Sequence, residues 1–374
     1  MAKYTVNLSN SVVYSIGDTH GCGREVMDFV TRLELRSCRL GEAHPAYIQL
    51  GDLCDGFAFP EDRSIDVLRT RSEERLNSIP ELREVLFRET NHFVDWTRDE
   101  GVRGTMTGRE LFECDRQDVV EAVYQAFRCF ETMLLYSRFQ QRHPNEFFVI
   151  FGNHDGDILR GRCAYGRQQK YILLGLLGLS PDAVINHMAN GKPTRVLRHP
   201  WFRWLNSRPH IIMSKDTVYM HGGPTGEIGS TIQPGESFDA WIQSIDKARL
   251  EGMDHPLFKE HESFLSPDGA PNDWLMHPDC IRNFLHAANK KFLAVGHSPF
   301  LDYEKGPMLD LEHADDVMKK RFRTPAQLPP DNCLIKHDTN MKRVGELWAC
   351  RHEIGTDIWT GIDADLNEFP LRCS

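Results

Sequence analysis

The sequence predicts an α/β fold with its chemistry gathered at the carboxyl ends of buried strands. Two observations lead there. Short continuous apolar runs recur along the chain, each ending at a glycine-rich block, which is how strands buried on both faces read. Each of those blocks also carries oxygen or imidazole donors, and open α/β sheets place their active sites just past the strand ends.

The elements follow in chain order. Ser11–Ile16 is an apolar strand leading into Gly17-Asp18-Thr19-His20-Gly21. Tyr47–Leu50 leads into Gly51-Asp52-Leu53-Cys54-Asp55-Gly56. Ser64–Glu89, rich in Glu, Arg and Leu, reads as helical, and so does Asp115–Arg142, where Val119, Val123, Phe127, Phe130 and Leu134 recur at helical spacing. Pro80 and the Gly101–Gly108 stretch punctuate that region. Phe147–Phe151 leads into Gly152-Asn153-His154-Asp155, and Thr217–Met220 into His221-Gly222-Gly223. Phe292–Val295 leads into Gly296-His297-Ser298-Pro299. Residues 226–273 and 302–332, rich in Pro, Gly and Asp, read as long surface loops.

The donors fall into a pattern that suits two divalent metals. A dinuclear hydrolytic site needs about six protein ligands, one a carboxylate shared by both ions, with positions left open for water and substrate. Asp18, His20, Asp52, Asn153, His221 and His297 supply such a set. Carboxylate and amide oxygen with imidazole suits manganese, iron or zinc better than copper or calcium. The imidazoles and the amide are neutral when they bind, so two dications keep positive charge in excess for a phosphate. Such a site is suited to activating water against phosphorus.

In order and content, these five blocks resemble the calcineurin-like metallophosphoesterases, and within them the phosphoprotein phosphatase family. Nucleases and phosphodiesterases of the wider group end in Gly-His-x-His, whereas here Ser298 and Pro299 follow His297. Two further stretches resemble the bacterial-type branch, the Shewanella-like and diadenosine-tetraphosphatase-like phosphatases. One is the tryptophan-rich Trp201–Pro209; the other is His337-Asp338-Thr339-Asn340-Met341.

The resemblance implies a single domain over residues 1–374, a β-sandwich flanked by helices in αββα order, with a helical insertion at 60–145 because the family's second and third blocks lie much closer together. It implies that Asp18, His20 and Asp52 hold one metal, and that Asp52, Asn153, His221 and His297 hold the other. His154 would be the general acid, Asp55 would orient it, and Asp338 would stand behind His297. The expected cofactor is two divalent ions, manganese foremost with iron or zinc possible. The expected activity is hydrolysis of phosphoprotein monoesters. Hydrolysis of dinucleoside polyphosphates or other small phosphate compounds is the alternative, and an inactive fold kept as a binding module is a reading from another class.

One departure stands out. The family's second block continues Asp-Arg-Gly, and that arginine grips the substrate phosphate. Here Gly56 follows Asp55 directly. Arg24, Arg160 and Arg162 are the nearest replacement cations in sequence, with Arg343 a more distant one. The role of the 60–145 span is open between a substrate-selecting cap and a buttress of the core. A comparable insertion is reminiscent of bacterial effector phosphatases of this fold.

Composition fits this reading. The chain has 44 basic and 54 acidic residues, net −10, which disfavours nucleic acid or an anionic membrane as partner. No stretch approaches a membrane span, and the start of the chain lacks a signal-peptide pattern. The ten cysteines are scattered without a C-x-x-C pair, as in a reducing compartment. A cytoplasmic protein is expected, with delivery into a host cell as the alternative.

Overall fold

The computed structural model describes residues 5–42, 44–54, 59–97, 100–161, 166–190, 198–222, 237–251, 278–296, 326–328, 333–337 and 347–371. Two six-stranded sheets form its centre. The first holds β2 (Val12–Ile16), β3 (Ala46–Gln49), β6 (Phe147–Val149), β12 (Trp348–Glu353), β13 (Trp359–Asp363) and β14 (Glu368–Pro370), in the order β14-β13-β12-β2-β3-β6. Its β2, β3 and β6 run parallel, with Tyr14 beside Tyr47 and Tyr47 beside Phe147. The second holds β1 (Thr5–Asn7), β7 (Ile211–Met213), β8 (Thr217–Met220), β9 (Phe292–Val295), β10 (Ala326–Leu328) and β11 (Leu334–Lys336), in the order β1-β7-β8-β9-β11-β10. There β8 and β9 are parallel, Tyr219 beside Ala294.

Strand alternation divides the apolar side chains between two cores. Val13, Ile48, Leu50, Phe148 and Ile150 of the first sheet meet Ile212, Tyr219, Phe292, Ala294 and Ile335 of the second. That is a sandwich interior. The alternate residues, Tyr14, Tyr47, Phe147, Val149, Val218, Met220, Leu293 and Val295, face outward into a larger core shared with the helices. Both faces of the central strands are therefore buried, which is why these segments read as unbroken apolar runs. The architecture is α/β, a two-sheet sandwich with helices over its outer faces. No helix among the described residues is long and apolar enough to cross a membrane.

Helix α1 (Gly23–Leu40) follows the first block and buries Val26, Phe29, Val30 and Leu33. The 60–145 span contains α2 (Ile65–Ser78), α3 (Pro80–Leu86), α4 (Gly108–Glu113) and α5 (Gln117–Arg142). It is not wholly helical: β4 (His92–Thr97) and β5 (Gly101–Thr107) form a separate antiparallel hairpin. Only β4 has a buried run, Phe93 to Asp95, while β5 is largely exposed, so the hairpin gives little apolar alternation in sequence. α5 is buried along most of its length, and Val119, Val123, Phe127 and Phe130 belong to the main core. Near its end Tyr136 and Phe139 pack edge-on against Phe147 of β6, at 5.5 and 4.9 Å between ring centroids.

After the third block come α6 (Asn153–Arg160), α7 (Arg167–Leu176), α8 (Pro181–Asn190) and α9 (Pro200–Ser207), the last being the tryptophan-rich helix before β7. Most of the two spans expected as loops lies outside the described residues. Within them, however, Phe238–Glu251 is a helix and Ala326–Leu328 a strand. Phe238, Trp241, Ile242 and Ile245 of that helix are buried, and the Phe238 and Trp241 rings pack on Phe284 of the helix Pro278–Ala288.

Candidate metal and active site

Four strands deliver the described donors to one end of the sandwich, β2, β3 and β6 from one sheet and β8 from the other, and β9 ends beside them at Gly296. The described donors converge on Asp52, which is fully buried. His221 Nε2 stands 3.3 Å from Asp52 Oδ2, His154 Nε2 3.7 Å and His20 Nε2 3.9 Å from the same oxygen. Asp18 Oδ1 lies 3.2 Å from His221 Nδ1, and Asp18 Oδ2 3.8 Å from His20 Nε2. Two groups of three donors result, Asp18–Asp52–His221 and His20–Asp52–His154, each with its atoms within 4.8 Å of one another and with Asp52 in common.

These residues fit divalent metals. The Nδ1 of His221 lies 2.8 Å from the carbonyl oxygen of Leu50, which can only accept, so the proton sits on Nδ1 and Nε2 turns to the cluster. The Asn153 side-chain oxygen lies 2.7 Å from that Nε2 and faces only acceptors. A cation, or a proton on Nε2 of a charged His221, makes that orientation favourable; turned over, the amide would instead donate to Asp52 Oδ2 at 3.1 Å. The electrostatics agree. Burial pushes the Asp52 carboxyl up, but His221, His154 and His20 overcome it and hold it well below the ordinary carboxylate range. Burial likewise opposes charge on His221, yet Asp52 and Asp18 hold it well above the usual imidazole value. Two buried carboxylates thus demand positive charge at this point.

The backbone is strained where two of the candidate ligands sit. His20 and Asp52 have φ of 41° and 50°, left-handed values that cost a non-glycine residue about 1–3 kcal/mol each. Their turns are joined by backbone hydrogen bonds, from His20 N to the Asp52 oxygen at 2.8 Å and from Gly21 N to the Leu53 oxygen at 2.9 Å. Asn153 and His154 occupy the first turn of α6, and His154 N donates to Asp52 Oδ1 at 3.0 Å. The positive end of that helix therefore faces the shared carboxylate.

Two glycines make the approach possible. A Cβ on Gly51, whose φ is +111°, would lie 2.4 Å from His221 Nδ1, and one on Gly152 would lie 2.2 Å from both Asp52 N and Asp52 Oδ1. Gly152→Ala is expected to destabilise the domain by about 1–3 kcal/mol through overpacking and to strip metal from the purified protein. Thermal unfolding together with metal analysis checks this, and unchanged values for both would refute it.

The other candidates are placed as follows. Arg24 is turned to α5 and α2, donating to Glu131 Oε1 at 2.7 Å and Ser78 Oγ at 2.8 Å. Arg160 lies at the far end of α6, its Nε 3.3 Å from the Gly156 oxygen and its Nη2 3.6 Å from Asp157. His297, Asp55, Arg162, Asp338 and Arg343 lie outside the described residues. Cys54 is buried; a hydrogen bond to Cys129 and burial push its thiol well up, so it is a protonated packing group.

Three further residues bear on the site. Asp155 accepts from Gly152 N at 3.0 Å and Leu53 N at 3.2 Å, and its carboxylate is 2.9 Å from Arg208 Nη2. Burial pushes the Asp155 carboxyl up, opposed by Arg208 and reinforced by the neighbouring Asp52. Arg128, on α5, donates its Nε to the Gly21 oxygen at 3.0 Å. Asp155 stood inside a recognised block, and Arg208 inside the tryptophan-rich stretch. For Arg128 the only signal was a charged residue beside the apolar face of a long helix.

No family model matches the sequence, and no curated protein is similar to it. Among solved structures, the whole chain aligns with 83% of the cold-active protein-tyrosine phosphatase of a psychrophilic Shewanella species, at 14% identity and a TM-score of 0.48. It also aligns over its whole length with 84% of a serine/threonine phosphatase from Saccharomyces cerevisiae, at 14% identity and a TM-score of 0.41.

Proposed function

We propose that this chain is a metal-dependent phosphoesterase, and specifically a phosphatase that hydrolyses the monoesters of phosphoproteins. The observation that carries the reading is the convergence of Asp18, His20, Asn153, His154 and His221, from three strand ends in two sheets, on the single buried carboxylate of Asp52 at a fourth. Asp18, His20 and Asp52 would hold one ion; Asp52, Asn153 and His221, with His297, would hold the other. Two divalent cations bound there, manganese foremost, supply a water of lowered pKa and charge to balance a phosphate. The ending Gly296-His297-Ser298-Pro299 favours a phosphoprotein over a nucleic acid or cyclic nucleotide.

The chain's own groups divide the remaining work. Asp52 neutralises the centre and, through His154 N, fixes the first turn of α6. Asn153 adds a neutral oxygen, so the site keeps net positive charge for the incoming phosphate. The His154 imidazole stands edge-on to His20, 5.2 Å between ring centroids, at the rim of the donor cluster. There it can give a proton to the leaving oxygen. Asp55 would orient it, and Arg24, Arg160 or Arg162 would have to supply the phosphate grip that the second block lacks.

His154→Ala is expected to leave the metals bound and to lower turnover by roughly 100-fold or more on alkyl phosphates. The loss should be smaller on aryl phosphates, whose leaving groups need less protonation. An equal loss on both would assign His154 a purely electrostatic role. For substrate class, the manganese-loaded protein is assayed on a phosphopeptide panel beside diadenosine tetraphosphate. Phosphopeptide hydrolysis is expected to dominate, and the reverse preference would make the protein a pyrophosphatase of small compounds.

A further inference from the structure

We propose that Arg128 and Arg208, which lie outside all five blocks, are positioning residues. They anchor the two ends of a buried belt of hydrogen bonds, closed at one end by the Arg208–Asp155 ion pair, that fixes the turns of His20 and Asp52. The inference rests on the reading of those turns as metal-bearing.

The belt is continuous. Arg128 Nε donates to the Gly21 oxygen at 3.0 Å, and Gly21 N donates to the Leu53 oxygen at 2.9 Å. Leu53 N donates to Asp155 Oδ1 at 3.2 Å, and Asp155 Oδ2 lies 2.9 Å from Arg208 Nη2 while also accepting from Gly152 N at 3.0 Å. Every link adjoins a candidate ligand or the candidate acid: Gly21 follows His20, Leu53 follows Asp52, Gly152 precedes Asn153, and Asp155 follows His154. The belt thus holds three separate blocks at fixed spacing.

Both anchors are themselves held. Arg128 reaches Tyr124 Oη at 3.1 Å, Cys22 Sγ at 2.8 Å and Glu25 at 3.4 Å. Arg208 faces the Leu205 and Ile150 oxygens at 3.4 Å and lies 5.3 Å from the centroids of both the Phe151 and Trp204 rings. These guanidinium groups engage the chain's own backbone and side chains, so their role toward the reaction is through geometry.

Stability alone accounts poorly for this arrangement. The Arg208 and Asp155 side chains are both fully buried. Removing two such charges from water costs so much that a well-packed apolar pair often serves stability equally well or better. What the charged pair does supply is a carboxylate that bridges two backbone amides. That bridge counts here because left-handed backbone at His20 and Asp52 persists only where the surroundings over-determine it.

The test compares metal affinity with folding in the full chain. Arg128→Met, Arg208→Met, Arg208→Lys and the double variant Arg208→Met with Asp155→Asn are titrated with manganese, followed by electron paramagnetic resonance. Circular dichroism and thermal unfolding are measured without added metal. Manganese affinity is expected to fall about 10- to 100-fold in Arg128→Met and Arg208→Met, the usual effect of losing a group that orients ligands. Arg208→Lys should recover part of the loss. The double variant removes the buried charge altogether, so it should fold even if Arg208→Met does not, yet still bind manganese weakly because no carboxylate bridges Leu53 and Gly152. Folded variants with manganese affinity within twofold of the native protein would overturn the proposal. A native protein that takes up no manganese would instead overturn the metal reading, and with it any role for the belt toward metal.

Discussion

Asp52→Asn is expected to abolish stable occupancy of two metals and to lower turnover on an aryl phosphate by roughly a thousandfold or more. Loss of one electrostatic group in an enclosed site costs about 100- to 1000-fold, and Asp52 is the one member common to both groups of donors. The substitution keeps the shape, so His154 N can still donate to the remaining carbonyl oxygen. It removes the charge that His20, His154 and His221 all face. Metal analysis and turnover on the same sample decide the matter. Near-normal turnover with one metal per chain would sink the dinuclear reading.

The second large effect concerns residues 60–145. Replacing them with a short Gly/Ser linker is expected to give an insoluble or unfolded protein. Truncating a single buried Phe costs about 3–5 kcal/mol, against a total stability of about 5–15 kcal/mol for a typical domain. The replacement removes Phe127, Phe130, Val119 and Val123 from the main core, with Leu76, Leu82 and Phe93 from the elements around them. It would also remove the Tyr136 and Phe139 rings that back Phe147, and expose the outer face of β6. A soluble deletion protein with normal metal content and aryl phosphate turnover would show that the span is a dispensable cap.

What could be read from sequence divides along a physical line. β8 and β9 have the bounds their apolar runs suggested, Thr217–Met220 and Phe292–Val295, and β3 and β6 differ only by a residue or two. Burial on both faces leaves no room for polar residues, so the signal is dense. The β4–β5 hairpin was invisible because β5, with two glycines and four exposed positions in a row, owes its pairing to β4 rather than to its own composition. The helix Phe238–Glu251 did carry a signal, Phe238, Trp241, Ile242 and Ile245 at helical spacing, but the Pro- and Gly-rich neighbourhood outweighed it. The candidate donors stand out because each sits in a short block with a glycine beside it, and the described ones, Asp18, His20, Asp52, Asn153 and His221, come together in the fold. Arg128 and Arg208 were not, since their partners, Gly21 and Asp155, are distant in sequence and become neighbours only in the folded chain.

Drawing candidate donors from both sheets governs when the site can form. Asp18 and Asp52 belong to one sheet and His221 to the other, and the imidazole's Nδ1 is set by Leu50, 171 residues away along the chain. No fragment or early hairpin holds enough donors to retain an ion tightly. The site closes only when the sheets dock, and in a topology rich in distant pairings docking is slow. Metal uptake should therefore coincide with the last phase of refolding, and an ion added at the start should leave the earlier phases unchanged. Once bound, it acts as a bolt across the sandwich, so its stabilisation should be felt by both sheets together rather than by the loops that touch it.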